Sequence, residues 1–483
     1  MRFLLVTIVV SGCVDGSSSL PPVAREQAVL GAGKRDIVLD ATWEPQSNEI
    51  IDCRGGTIRP RISVDANEGL SVPDTLIFLG PDVHGVHIRN CTLEATFAIV
   101  AVGGGLHVIT NNVIRSSSRG VWLYSSSHNL FDGNDLRSRG RNIQINGDSD
   151  GTVVSNNHIA HLHDGTPVDG NPGWTYADDP GGVGVGTFAY PGVNNIIING
   201  RIYQDIGFYG TQPEGTLVLN NTIDNEGGFV GIIFATRASH GYAYRNTVHG
   251  GELGLAVFGY EDEAWFLEPG TCSGDPTMRC AEDTTYFEDP TVSCALLGFE
   301  PRGTCEGFNW VQGGGRVVLP SFVENTVLGA GTGFTAGDTD GMLLEANDLH
   351  GGRAGIHLWG YTHDESTVIG NRTSGYEIGL VLEDDNKSGD EVPGLELSYN
   401  DFGGNQRAFD AYFLVLDDNW ELVETLPFTQ RASLADNWWG HGKCGFPANA
   451  ADWAAVDDPS PAATPIARAW RAGDPDGVAR CAP

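Results

Sequence analysis

The sequence predicts an all-β solenoid, a right-handed parallel β-helix of about eleven coils, on three observations. First, a phrase recurs along the chain: an apolar residue, two spacers, usually Asn, one spacer, another apolar residue. It places Ile109, Asn112 and Ile114 in one copy, Phe131, Asn134 and Leu136 in the next, and Val154, Asn157 and Ile159 in a third. It returns around Asn221, Asn246, Asn325, Asn347, Asn371 and Asn400, with Cys91 and Gly200 filling the Asn slot in two further copies. Most neighbouring copies lie 21 to 25 residues apart, so one unit is being stacked. Second, each copy leads into another period-2 segment rich in β-branched and aromatic residues, at 120–124, 254–258, 355–359 and 379–383. Third, the leucine-rich repeat, which has a similar period, fits poorly. It requires an apolar residue where this chain has His107, Asn129, Thr152, Thr216, Gly241 and Ser366, and a helical segment where this chain has a strand pattern.

Each unit therefore reads strand, Asn turn, strand, Gly turn, strand. An Asn at a fixed turn is expected to adopt the left-handed conformation and to bond to its counterpart one coil away. The Asn row is scaffold rather than a row of reactive groups. In the segment after the Gly turn, alternation sends Val121, Leu123, Ile356, Leu358, Leu380 and Leu382 inward. The outward row then reads Tyr124, Asn146, Phe258, Trp359 and Glu383.

Two flanking phrases extend the pattern. Residues 50–58, from Ile50 through Asp52 and Gly55 to Ile58, resemble the opening coil of the pectin-lyase-like, right-handed β-helix superfamily. Residues 436–440, with Asn437, Trp438 and Trp439, resemble the phrase that often closes such a stack. The resemblance spans about residues 35 to 445 and implies the fold. It leaves activity open, because the superfamily includes lyases, hydrolases, epimerases and non-enzymatic adhesins. The Gly440-His441-Gly442 triplet resembles a polygalacturonase motif, but the accompanying motifs are missing and the assignment is rejected.

The N-terminal apolar run is too short to span a membrane and ends at a small-residue stretch before Cys13, as in a bacterial lipoprotein signal. The expected organisation is a signal at 1–13, a linker at 14–34, the β-helix at 35–445 with insertions at about 164–182 and 264–314, and a tail at 446–483. Localisation follows as exported, in a bacterial cell envelope, lipid-anchored or secreted. Without Cys13, eight cysteines remain, an even number that suggests disulfides in an exported chain. Proximity suggests Cys53 with Cys91, Cys272 with Cys280, Cys294 with Cys305, and Cys444 with Cys481.

The formal charge of −34 argues against nucleic acid and anionic lipid as partners, and against a polyuronate unless Ca²⁺ or a local basic patch assists. The expected partner is a polysaccharide or glycan; membrane contact comes only through a lipid anchor, and the chain is expected to be a monomer.

Carboxylates and aromatic residues collect after the outward row. Asp340, His363, Asp364, Glu383 and Asp384 are candidate catalytic residues, drawn from consecutive repeats at separations suited to glycoside cleavage. Tyr260, Trp359 and Tyr361 are candidate substrate-binding residues, because aromatic rings offer flat apolar faces to sugars. The same acidic loops also follow from composition alone, or suit Ca²⁺ as a cofactor. A second constellation, His161, His163 and Asp164, is a candidate metal site, or a base with its orienting partner. His161 stands where equivalent positions carry small residues. The expected function is binding, and cleaving if catalytic, of an extracellular carbohydrate polymer. The alternative is a non-catalytic adhesin or structural spine.

Overall fold

The computed structural model describes residues 36–61, 75–146, 149–161, 181–185, 196–198, 201–203, 213–235, 238–259, 265–271, 306–312, 317–385, 395–416, 422–427 and 437. Among them every regular element is a strand. The segments before the Asn turn form an eleven-stranded parallel sheet of three-residue strands, from Ile50–Asp52 to Glu396–Ser398. The segments after the Asn and Gly turns form a second, larger sheet, parallel except at its C-terminal hairpin.

One inward residue from each short strand builds a continuous core. Ile88, Ile109, Phe131, Val154, Val218, Phe322, Leu344 and Val368 are buried, and the Phe322 ring packs between Phe234 (tilted, 5.2 Å) and Phe334 (edge-on, 5.3 Å). The inward set expected on the long sheet, from Val121 and Leu123 to Leu380 and Leu382, is buried as well.

The Asn phrase becomes a ladder of ten side chains: Asn112, Asn134, Asn157, Asn221, Asn246, Asn325, Asn347, Asn371, Asn400 and Asn437. Each buried amide accepts from the backbone N–H of the preceding rung and donates to a carbonyl of the preceding coil. Asn325 Oδ1 accepts from Asn246 N at 2.9 Å, and Asn325 Nδ2 donates to Ala243 O at 2.9 Å. Asn437 is the last rung of the closing phrase to be described. One expectation is corrected: the left-handed residue is the one before the rung. Asn111, Asn156 and Asn220 carry φ near 54°, as do Arg245, Glu324 and Ala346. The rung itself must point inward to reach its neighbours, so the exposed residue beside it absorbs the turn.

Cys91 fills a rung position and donates its N–H to Asn112 Oδ1 at 3.0 Å, while its sulfur is bonded to Cys53. Gly200, an expected rung, lies outside the described residues. Asn157 bonds directly to Asn221, and Val153–Ser155 pairs with Leu217–Leu219. The segments flanking Gly200, Ile196–Ile198 and Arg201–Tyr203, form an antiparallel hairpin instead. Asn199-Gly200 between them is a dipeptide that favours tight hairpin turns, a signal that outweighs the apolar spacing. Most of the insertion expected at 164–182 lies outside the described residues; Gly181–Val185 pairs with the coils on both sides. Within the second insertion, Trp265–Thr271 pairs antiparallel with Glu306–Gln312. The proposed pairs Cys272–Cys280, Cys294–Cys305 and Cys444–Cys481, and Cys13, lie outside the described residues.

A second buried polar position imitates the ladder. His107 Nδ1 accepts from Val86 N at 3.3 Å, and His107 N donates to Asn129 Oδ1 at 3.0 Å. An imidazole Nδ1 thus does what an amide Oδ1 does one coil later. Burial holds the ring neutral and depresses its pKa from 6.5 to about 4.

Two predictions follow from these buried groups. Asn325→Ala leaves the Asn246 N–H and Ala243 carbonyl without partners and is expected to cost about 3 kcal/mol; an unchanged urea midpoint would contradict the ladder's structural role. For His107 the folded pKa lies below the unfolded one, so its contribution is full above pH 6.5 and is lost as pH falls toward 4. The loss is about 3 kcal/mol. His107→Asn should flatten the fall in stability across that window by this amount, and parallel pH curves for the two proteins would refute it.

Candidate functional site

The outward face of the larger sheet begins at corner glycines. A Cβ on Gly254 would lie 2.5 Å from Val327 Cγ1, and one on Gly355 would lie 2.6 Å from the Gly379 carbonyl oxygen. These corners leave no space for a side chain, so the chain turns closely against the neighbouring coil. Beyond each corner the alternation restarts in the same phase.

That phase aligns two outward rows. Ala256, Thr335, His357, Val381 and Asp410 stand in register, and two residues further along stand Phe258, Gly337, Trp359, Glu383 and Tyr412. The expected neighbours Phe258, Trp359 and Glu383 thus share a row. Gly337, between two aromatic residues, shapes it: a Cβ there would fall 2.6 Å from Trp359 Cε2 and Cζ2. The indole lies in the space that a side chain at 337 would take. Its centroid comes to 5.9 Å from that of Phe258, and its Nε1–H donates to Thr335 Oγ1 at 3.1 Å. A ring with its polar atom satisfied from the side is held in place and presents an apolar face.

On the other side of Trp359, Glu383 is mostly buried, with its side chain 22% exposed. Its Oε2 accepts from Tyr412 Oη–H at 2.7 Å and from His357 Nε2 at 3.0 Å. Burial pushes the Glu383 carboxyl up, but hydrogen bonds from His357 and Tyr412, with the charges of His357 and Arg353, bring it below its ordinary value. Burial, and the bond to an anionic partner, raise the Tyr412 phenol. Together these residues make an aromatic shelf ending in an ionised carboxylate that is braced from both sides.

The other expected site residues fall differently. Asp340 and Asp364 are aligned in neighbouring strands, Thr332–Asp340 and Asp348–Asp364. Glu383 is not in their row. A register shift opposite Gly337 and Thr339 inserts two extra residues between Trp359 and His363, and Tyr361 falls within it. The shift brings Asp364 level with Asp340, while Glu383 pairs with Trp359, five residues earlier in that strand. Asp384 is aligned with Phe413, and His363 with Thr339. Tyr260, His163 and Asp164 lie outside the described residues. His161 follows Ser116 and Ser138 in register at the corner of the coil. Its neighbour His158 is held between Asp135 at 3.1 Å and Asp224 at 2.9 Å, and the Asp224 bond raises its pKa despite burial. Among the described residues no group of three His, Cys, Asp or Glu is placed to hold a metal ion.

His357, Gly337 and Tyr412 were missed in the sequence. His357 was accessible, being two residues before Trp359 in a period-2 strand. Tyr412 was not, because its coil has Ala408 where the three coils before it have Gly333, Gly355 and Gly379.

The repeat, the parallel register and the internal ladder decide the fold. The chain is a right-handed parallel β-helix protein. Residues 32–229 match the profile of a family described as periplasmic copper-binding protein (NosD). Solved structures similar to this β-helix include PfbA, a surface adhesin of Streptococcus pneumoniae, at 12% identity over 79% of this chain and 84% of that one, with a TM-score of 0.45. The Dettilon tailspike protein is similar at 13% identity over 69% and 49%, TM-score 0.30. An alginate lyase from Paenibacillus sp. strain FPU-7 is similar at 10% identity over 76% and 94%, TM-score 0.30. No curated protein sequence matches the β-helix chain.

The bracing of Glu383 is testable. Tyr412→Phe removes one donor and should raise the midpoint at which the Glu383 carboxyl titrates, followed by ¹³C NMR. An unmoved midpoint would show that the phenol does not hold the carboxylate.

Proposed function

We propose that this β-helix is an exported protein that binds an extended carbohydrate polymer across the outer face of its larger sheet, with Trp359 as the anchor. The observation that carries the reading is the seating of Trp359: over Gly337, against Phe258, bonded to Thr335, and one coil from the braced carboxylate of Glu383. The ring supplies an apolar face for a sugar, and Glu383 accepts from hydroxyls. Coils repeat at about 4.8 Å, close to the length of one sugar in an extended chain, so successive coils meet successive sugars. Export is supported by the Cys53–Cys91 disulfide, which suits an oxidising compartment, and by the match to a family described as periplasmic.

Binding takes precedence over cleavage at the shelf, because a carboxyl held ionised is unsuited to be the general acid. If the polymer is cleaved, Asp340 and Asp364, one strand apart, are the pair from which acid and base are drawn.

The test is a polysaccharide panel read by affinity electrophoresis and by release of reducing ends. Trp359→Ala should weaken binding about thirtyfold, the loss of about 2 kcal/mol expected for a central aromatic anchor. A panel in which no polysaccharide is retained removes the reading.

A further inference from the structure

We propose that the polymer taken at the Trp359 shelf is a neutral glycan, and that a chain of uronic acids is turned away there. The inference rests on the carbohydrate reading and adds the charge class of the ligand. Recognition of a sugar carboxylate needs an uncommitted cation, or a dense array of hydrogen-bond donors, beside the ring that carries the sugar. The strands that build the shelf supply Arg353, Arg372 and Arg407 as their described cations. Arg407 Nη1 donates to Asp410 at 2.9 Å, and Arg372 lies 4.0 Å from Asp401. Arg353 acts on Glu383 through its charge. Arg407 and Arg372 thus already answer anions of the protein, and Arg353 stands before the corner at Gly355, six residues from Trp359 in the same strand.

The donors on the shelf are committed as well. Trp359 Nε1–H is given to Thr335, and the Tyr412 hydroxyl and His357 Nε2 both go to Oε2 of Glu383. Neither of those two bonds uses Oε1. The group that a ligand meets next to the ring is thus an acceptor. A neutral sugar meets it with a hydroxyl donor. A uronate brings a second anion to a partly desolvated one, and like charges so placed oppose association strongly. The net charge of −34 repels a polyanion before contact as well. Selectivity then comes from rejection of the wrong charge as much as from attraction of the right one.

The experiment uses the full chain with end-labelled oligosaccharides of equal length: neutral gluco-, manno- and galacto-oligomers against oligogalacturonate and oligomannuronate, at low salt and without divalent cations. The expected result is binding of at least one neutral series, with both uronates weaker by about a hundredfold. Glu383→Gln, which keeps an acceptor oxygen and removes the charge, should narrow that gap at least about tenfold by strengthening uronate binding. Circular dichroism confirms that the variant is folded. Uronates binding as tightly as every neutral oligomer would overturn the proposal, as would a gap that Glu383→Gln leaves unchanged. Binding by neither class would remove the carbohydrate reading and this inference with it.

Discussion

The buried asparagine ladder is the interaction on which the rest of the molecule depends. A coil of this kind encloses few residues, and its turns bring backbone polar groups inside, away from water. Each rung supplies the missing partners, an acceptor for the next amide and a donor for a carbonyl one coil back. An unpaired buried group costs about 1–3 kcal/mol, so the ladder keeps each coil in register with its neighbours. Coils in register put equivalent residues in line, and the outer face becomes a set of straight rows. Cys91 and His107 show how tolerant the arrangement is: a cysteine keeps the backbone bond of a rung, and an imidazole copies an amide.

The candidate site is a local departure from that regularity. A row that simply repeated one side chain would be a flat ribbon. Here Gly337 opens a gap between Phe258 and Trp359, and the indole lies in it, 5.9 Å from the Phe258 ring. On the far side, Glu383 draws a donor from the coil before it and another from the coil after it. The shelf thus spans five coils with one glycine and one carboxylate as its fixed points. Its chemistry belongs to residues from several repeats, although each is supplied by the same strand position.

Most of the scaffold was legible because its causes are periodic. The Asn phrase, the corner glycines and the alternation after them all recur, and each recurrence reports the same physical need. The Phe258, Trp359 and Glu383 row was legible for the same reason. Expectations gave way where a signal was local. The apolar residues around Gly200 matched the repeat, yet Ile196–Ile198 and Arg201–Tyr203 pair antiparallel with each other. The left-handed residue was assigned to the rung, yet it is the neighbour, since only an inward rung reaches the next coil. Asp340 and Asp364 share a register position, but Glu383 pairs with Trp359, five residues before Asp364, so the three expected carboxylates do not stand in one row.

The sequence alone determined that this chain is a stack of parallel coils and which residues face inward. Each follows from period and alternation, properties that a linear string carries in full. The tertiary structure alone decided that Trp359 lies over Gly337, and that His357 and Tyr412 converge on one oxygen of Glu383. Those contacts join residues from different coils, and they depend on which way each side chain leans. Period sets the row a residue occupies; only packing against the neighbouring coils sets what it touches.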